Sequence, residues 1–183
     1  MLADFEELLA ECRDGADRVA AIVKDLKAFS GVDGATQEVA DINACVTGVC
    51  NAAAPQLGDR VSLRRELGHI PVTRCSPGSV GQALMNVLLN AGQAMREPGE
   101  VLIRTSLVSG RILVQVTDTG VGISTEVLGR IFDPFFTTRS VGEGRGLGLT
   151  VTRDIVQAHG GEVAVRSEVG CGTEVSLWLP VAP

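Results

Sequence analysis

The sequence predicts an α+β fold: a two-layer sandwich with a mixed sheet covered by helices on one face, preceded by one long amphipathic helix. Three observations predict it. From residue 36 the apolar periodicities run helix, two strands, helix, two strands, loop, helix, two strands, an order that suits one sheet under one helical layer. Turn signals at Ser109-Gly110 and across Gly170 and Gly172 join neighbouring strands into hairpins. Ahead of these, Phe5 to Phe29 repeats apolar residues at alternating steps of three and four. The expected division is 1–30 for the helix and 31–183 for the domain.

The long helix rests on Phe5, Leu8, Cys12, Gly15, Val19, Ile22, Leu26 and Phe29, a seam of nearly four heptads flawed at Gly15. Its charges mostly lie off the seam. So narrow and long a stripe argues for packing against another chain, or for folding back onto its own domain. The helix is expected to end near Ser30-Gly31, and 30–36 reads as a linker. Asp41 can cap a helix through Val46 and Val49 to Ala54, with Pro55 and Gly58 at its exit. Val61 to Leu67 and Val72 to Cys75 read as strands. Ser76 and Pro77 then supply the cap and first position of a helix to Met95. That helix is apolar over most of its circumference, yet Gln82, Asn86, Asn90 and Gln93 line one side. Burying unpartnered amides costs roughly 1–3 kcal/mol each, so four in register point to a polar ligand. Amide oxygens suit Mg²⁺, a hard cation that shares phosphate oxygens. Glu100–Val108 and Arg111–Asp118 read as paired strands, Gly146–His159 as a helix, and Glu162–Ser167 with Thr173–Leu179 as a closing hairpin.

Composition narrows the functional classes. The 183 residues are 45% hydrophobic with a net charge of -6 and no Lys/Arg-rich run, which disfavours nucleic acid and anionic membrane as partners. No apolar run approaches the roughly 20 residues that span a bilayer. The acidic start Met-Leu-Ala-Asp-Phe-Glu-Glu is no signal peptide, so a cytoplasmic location is expected. The five cysteines, Cys12, Cys45, Cys50, Cys75 and Cys171, show no CxxC spacing and read as buried free thiols.

The chemistry concentrates between Val116 and Thr150. A strand ends on Asp118 and enters a glycine turn, a loop rich in phenylalanine follows, and a second glycine cluster opens a helix. Glycines let backbone approach a ligand closely, and those before a helix leave N–H groups aimed at an anion. The pattern reads as a nucleotide site, with Asp118 for the base and Gly144 to Gly148 for the phosphates.

These residues resemble a known family. Asn86-Val-Leu-Leu-Asn90-Ala is similar to the N box of the GHKL ATP-binding superfamily, as found in bacterial sensor histidine kinases. Asp118-Thr-Gly120-Val-Gly122 resembles the first glycine box, Phe132-Asp-Pro-Phe135-Phe136-Thr-Thr the F box, and Gly144-Arg-Gly146-Leu-Gly148-Leu the second glycine box. His159-Gly160-Gly161 and Gly170-Cys-Gly172-Thr173 fit the closing segment. The resemblance covers about residues 36–181 and implies a Bergerat-type ATP-binding domain that uses ATP and Mg²⁺. It places Asp118 on the adenine amino group, Asn90 on Mg²⁺ and Asn86 near the phosphates. Gly120, Gly122, Ile123 and Leu147 would shape the base pocket. Gly144, Gly146 and Gly148 would offer amides to phosphate, with Arg145 and Thr150 beside them. Residues 124–145 would form the mobile lid, and its Arg139 would reach the γ-phosphate. Catalysis would thus rest on Asn86, Asn90 and Arg139.

Departures mark a subgroup. Gln93 stands where the family often carries a basic residue, Ala94 where an aromatic often stacks, and Arg145 where Thr is usual. Gln93 and Ala94 resemble nitrogen-regulation-like kinases, and Arg145 can supply the missing positive charge. Residues 1–30 resemble the second helix of the dimerisation module, which implies a homodimer through 2–29. Of the two histidines, His69 and His159, neither has the following residues of a phospho-acceptor. The implied reaction is therefore γ-phosphoryl transfer to a histidine on another chain or a removed segment, with a response regulator downstream. Two other functions stay open: a GHKL-type ATPase clamp, which usually carries Glu at position 86 to activate water, and a non-catalytic nucleotide-binding module.

Overall fold

The structure, a computed structural model, describes Gly15, residues 36–139 and residues 144–182. The chain divides into two units, Met1–Gly34 and Ala35–Pro183. The heptad seam apart from Gly15, its expected pairing, and residues 140–143 of the expected lid lie outside the described residues. No helix among the described residues is long and apolar enough to cross a membrane.

The second unit runs β1 (Glu38–Ala40), α1 (Ile42–Leu57), β2 (Val61–Leu67), β3 (Thr73–Cys75), α2 (Pro77–Gln93), β4 (Gly99–Val108) and β5 (Arg111–Asp118). It continues through a short α3 (Thr125–Leu128), then α4 (Gly148–Ala158), β6 (Glu162–Glu168) and β7 (Gly172–Pro180). Five strands form one sheet in the order β2-β4-β5-β7-β6. β2 and β4 are parallel and the other neighbours antiparallel, so the sheet is mixed. The β4–β5 hairpin turns through Ser109 and Gly110 at φ 50° and 77°, the two left-handed positions that a tight hairpin requires.

Alternation builds the core. Val101 and Ile103, Ile112, Val114 and Val116, and Val175, Leu177 and Leu179 project to one face. There they meet Ile42, Val46 and Cys50 of α1 and Val80, Leu84, Val87 and Leu88 of α2. A fully buried aliphatic side chain contributes roughly 1.5–3 kcal/mol. The other face mixes polar residues with Leu102, Leu113 and Trp178, with Arg104 bonded to Glu66 and the Arg111 guanidinium 5.3 Å from the Trp178 ring centroid.

Several expectations need correction. β3 does not join the main sheet. It pairs with β1, inside what reads as a featureless approach to the second helix, and forms a separate two-stranded ribbon. The physical reason is that β2 already occupies the edge of β4. The chain end closes the ribbon, because Arg74 N–H donates to the Ala182 carbonyl (3.1 Å) and Ala182 N–H to Thr73 Oγ1 (2.8 Å). Pro55 does not end α1, which continues to Leu57 and Gly58. Proline removes one helix donor, and so near the exposed end of the helix water can satisfy the freed carbonyl. Asp41 caps α1 as expected, accepting from Asn43 N–H at 2.8 Å.

Of the described cysteines, Cys45, Cys50, Cys75 and Cys171 are free thiols. Burial raises Cys50 and Cys75 and pushes Cys45 up to about 11. Cys171 corrects the expectation of burial: it lies exposed in the β6–β7 turn.

Candidate functional site

α2 is started by Ser76, whose hydroxyl accepts from Ser79 N–H at 3.4 Å, and by Pro77 at the first turn. Ser76 N–H itself donates to His159 Nε2 at 2.9 Å, and His159 Nδ1 lies 2.7 Å from the Ile155 carbonyl. With Nε2 accepting, the proton sits on Nδ1. His159 thus ties the end of α4 to the start of α2.

The amide stripe on α2 is not deeply buried. Gln82, Asn86 and Asn90 are half-buried and Gln93 is exposed. Among the described residues no buried side-chain nitrogen or oxygen lacks a partner. A burial penalty therefore does not create the need for a ligand; the positions of the amides suggest one instead. Asn86 Nδ2 donates to the Gly148 carbonyl at 3.1 Å. The Asn90 side chain makes no hydrogen bond among the described residues, and its Nδ2 would stand 3.6 Å from a Cβ placed on Gly148. Gly148 opens α4, whose first turn receives no side-chain cap, so its leading N–H groups remain for an anion.

The second cluster surrounds Asp118, 5% exposed at the end of β5. Its Oδ1 accepts from Gly120 N–H at 2.8 Å. Burial raises the Asp118 carboxyl above its usual range, while the backbone N–H groups of Gly120 and Thr173 pull it back. A Cβ on Gly120 would stand 2.8 Å from the Cβ and carbonyl of Ala94 and 2.9 Å from Asp118 Oδ1. Val121 N–H donates to the same Ala94 carbonyl at 3.1 Å. Gly122 sits at φ +70° with the Glu168 carbonyl where a Cβ would be, and half-buried Ile123 gives its N–H to Ser167 Oγ at 2.8 Å. The loop at residues 119–123 is thereby laid on the β6–β7 hairpin.

The third cluster joins the 132–146 loop to α2 and α4. The Arg139 guanidinium donates to Gln93 Oε1, and a Cβ on Gly144 would lie 2.8 Å from Thr137 Oγ1. Phe135 N–H donates to the Gly146 carbonyl at 3.0 Å. Thr150, expected beside the nucleotide, is buried and spends its hydroxyl on the Phe132 carbonyl at 3.1 Å. Leu147 is buried and Arg145 exposed. Phe132 and Phe136 lie half-buried near Arg153 and Arg130, whereas Phe135 is 65% exposed.

Sequence reasoning gave no site role to Ser167, to Thr173 (which stood only in the closing segment) or to Thr152. Thr152 Oγ1 donates to Gly148 at 2.8 Å and so shares that carbonyl with Asn86. A usable signal existed for the first two: the apolar alternations of β6 and β7 each break to a hydroxyl residue at the same end of the sheet as Asp118.

Comparison with known proteins agrees with this geometry. Residues 76–183 match the family described as histidine kinase-, DNA gyrase B-, and HSP90-like ATPase. The sensor kinase CckA of Brucella abortus is 32% identical over 184 residues, which cover 92% of this chain and 20% of that protein. The sensor histidine kinase ZraS of Escherichia coli is 33% identical over 168 residues, which cover 91% of this chain and 36% of that protein. The chain thus spans between a fifth and just over a third of these relatives' length. Among solved structures, full-length ShkA in complex with AMPPNP superposes with a TM-score of 0.83 at 28% identity, over 97% of this chain and 39% of that one. The catalytic domain of the histidine kinase ThkA superposes with a TM-score of 0.72 at 24% identity, over 81% and 97%, and shares the fold.

Proposed function

The chain belongs to the histidine kinase-, DNA gyrase B-, and HSP90-like ATPase family, and from that premise we propose that it binds Mg-ATP and transfers the γ-phosphoryl group to a histidine outside residues 1–183. The observation that carries this is the junction at Gly148, where an uncapped helix start, the Asn86 bond and the unpartnered amide of Asn90 coincide. The donor set fits a hard cation, because an amide oxygen suits Mg²⁺. When bound, Mg²⁺ would neutralise phosphate charge. Asn90 would hold it, the first turn of α4 would receive the phosphates, and Asp118 would take the amino edge of the base. Arg139 and Arg145 would meet the γ-phosphate. Catalysis is then mainly positioning and charge stabilisation.

The ATPase-clamp alternative is disfavoured. An amide cannot take a proton from water, and Asn86 already donates to Gly148. The proposed partners are a histidine-bearing helix, a response regulator and a second copy paired through residues 2–29, in the cytoplasm. Incubating the chain with γ-labelled ATP and a separate histidine-bearing helix tests the reaction. Mg-dependent label on the helix is expected; binding of ATP with no transfer would reduce the chain to a nucleotide-binding module. Light scattering should give a dimer for the chain and a monomer for residues 34–183.

A further inference from the structure

Three neighbouring strands end in one polar row. Asp118 on β5 pairs in register with Thr173 on β7, and Thr173 with Ser167 on β6. The adjacent row, Val116, Val175 and Val165, is apolar, so the three polar side chains sit together at the rim of the core. Asp118 and Thr173 are 5% and 8% exposed.

Ser167 Oγ has three partners. It lies 2.8 Å from Ile123 N, 2.8 Å from the Gly172 carbonyl and 2.9 Å from Thr173 Oγ1. A hydroxyl has one proton to give and two lone pairs to accept with. The Ile123 N–H can only donate and the Gly172 carbonyl can only accept. Ser167 therefore commits its proton to Gly172, and the remaining contact is made by the proton of Thr173. The Thr173 hydroxyl is left with lone pairs alone. Its cross-strand neighbour Asp118, when ionised, also offers only acceptors.

We propose that Ser167 is a specificity-determining positioning residue: by consuming the Thr173 proton it leaves the base end of the site with acceptors only, which selects adenine over guanine. Adenine presents an exocyclic amino donor where guanine presents a carbonyl acceptor. Two fixed acceptors suit the amino group and leave the carbonyl without a partner. Ser167 acts through Thr173 and does not touch the base. The proposal rests on the nucleotide-binding function above.

The test is calorimetry with Mg-ATP and Mg-GTP on the full chain. Wild type should prefer ATP. Ser167→Ala frees the Thr173 hydroxyl to rotate and donate, and the ATP:GTP affinity ratio should fall by about threefold to tenfold, the worth of one neutral hydrogen bond. Because the effect runs through Thr173, Ser167→Ala should change the ratio no further when added to Thr173→Val. Ser167→Cys, close in shape but a weak acceptor, should move the ratio the same way and replaces the alanine variant if that one does not fold. An unchanged ratio in Ser167→Ala or Ser167→Cys overturns the proposal, as does an undiminished Ser167 effect on the Thr173→Val background. Wild type that binds neither nucleotide overturns the nucleotide-binding function as well; wild type that prefers ATP irrespective of residue 167 overturns only the role of Ser167.

Discussion

Asn86 reaches across from α2 to the first residue of α4, its Nδ2 3.1 Å from the Gly148 carbonyl. That carbonyl also accepts from Thr152 Oγ1 at 2.8 Å. Asn86 thus holds the helix start at which phosphate is proposed to bind. Asn86→Ala should cost about 0.5–1.5 kcal/mol of stability, the net worth of one such bond, with the lower end favoured because Thr152 remains. It should also weaken ATP. Asn86→Asp, which keeps the shape but cannot donate, should lose as much. Chemical denaturation alongside nucleotide titration checks both; full stability in either variant would show that the bridge contributes nothing.

Asn90 should behave in the opposite way. Its side chain makes no hydrogen bond among the described residues, yet stands beside Gly148. Its replacement by Ala should change stability by no more than about 0.5 kcal/mol, as at an ordinary surface position. Affinity for ATP with Mg²⁺ should fall much more than affinity without it. Calorimetry in the presence of Mg²⁺ and of a chelator separates the two. Equal losses under both conditions would take the metal away from Asn90.

Asp118 links stability and binding with opposite signs. Desolvation raises its carboxyl above the usual 3.8, despite the N–H groups of Gly120 and Thr173. A raised group binds its proton more tightly folded than unfolded, so its contribution to stability is complete below 3.8 and is lost as pH rises through the folded value. Binding runs the other way, because only the ionised form is acceptor-only. Relative to Asp118→Asn, wild type should therefore lose stability and gain ATP affinity as pH rises from about 4 towards 7. Thermal melts and calorimetry of the pair across that range check the crossing trends. Parallel pH profiles would mean that Asp118 does not titrate in this window.

Much of the fold was legible in the sequence because local signals and burial agreed. Ser76-Pro77 starts α2 where capping chemistry requires, Ser109-Gly110 turns the hairpin, and the alternation through Ile112, Val114 and Val116 fixes the inward face of β5. What escaped is what depends on distant register. Glu38–Ala40 is a strand because Thr73–Cys75 lies opposite it, and three residues carry no period of their own. The Asp118–Thr173–Ser167 row exists only once three strands are aligned. Within the site, the glycine boxes were readable as places for close backbone approach. The division of labour between Asn86 and Asn90, and the engagement of Thr150 with Phe132, depend on which partner each side chain meets.

Phe135 and Gly146 close the base of the lid with two left-handed residues facing each other. Phe135 sits at φ 65° and Gly146 at φ 66°, and Phe135 N–H donates to the Gly146 carbonyl at 3.0 Å. A left-handed backbone costs an L-residue roughly 1–2 kcal/mol, and Phe135 bears that cost while 65% exposed. At this point the loop is held by the backbone bond, not by burial of the aromatic side chain. Gly146 has no freedom to change, because a Cβ there would strike the carbonyls of Phe135 and Phe136. Gly146→Ala should therefore lose about 1–2 kcal/mol from backbone conformation alone, with the steric contact added to it. The bond to Phe135 should open first, since it is the contact the new methyl group displaces. Hydrogen exchange should accordingly show faster exchange at Phe135 N–H while the core strands β4 and β5 keep their protection, and ATP affinity should fall with it. Phe135→Gly should do the reverse, relieving left-handed strain while keeping the bond. If Gly146→Ala left exchange at Phe135 as slow as in wild type, the lid would have to be held at some other point.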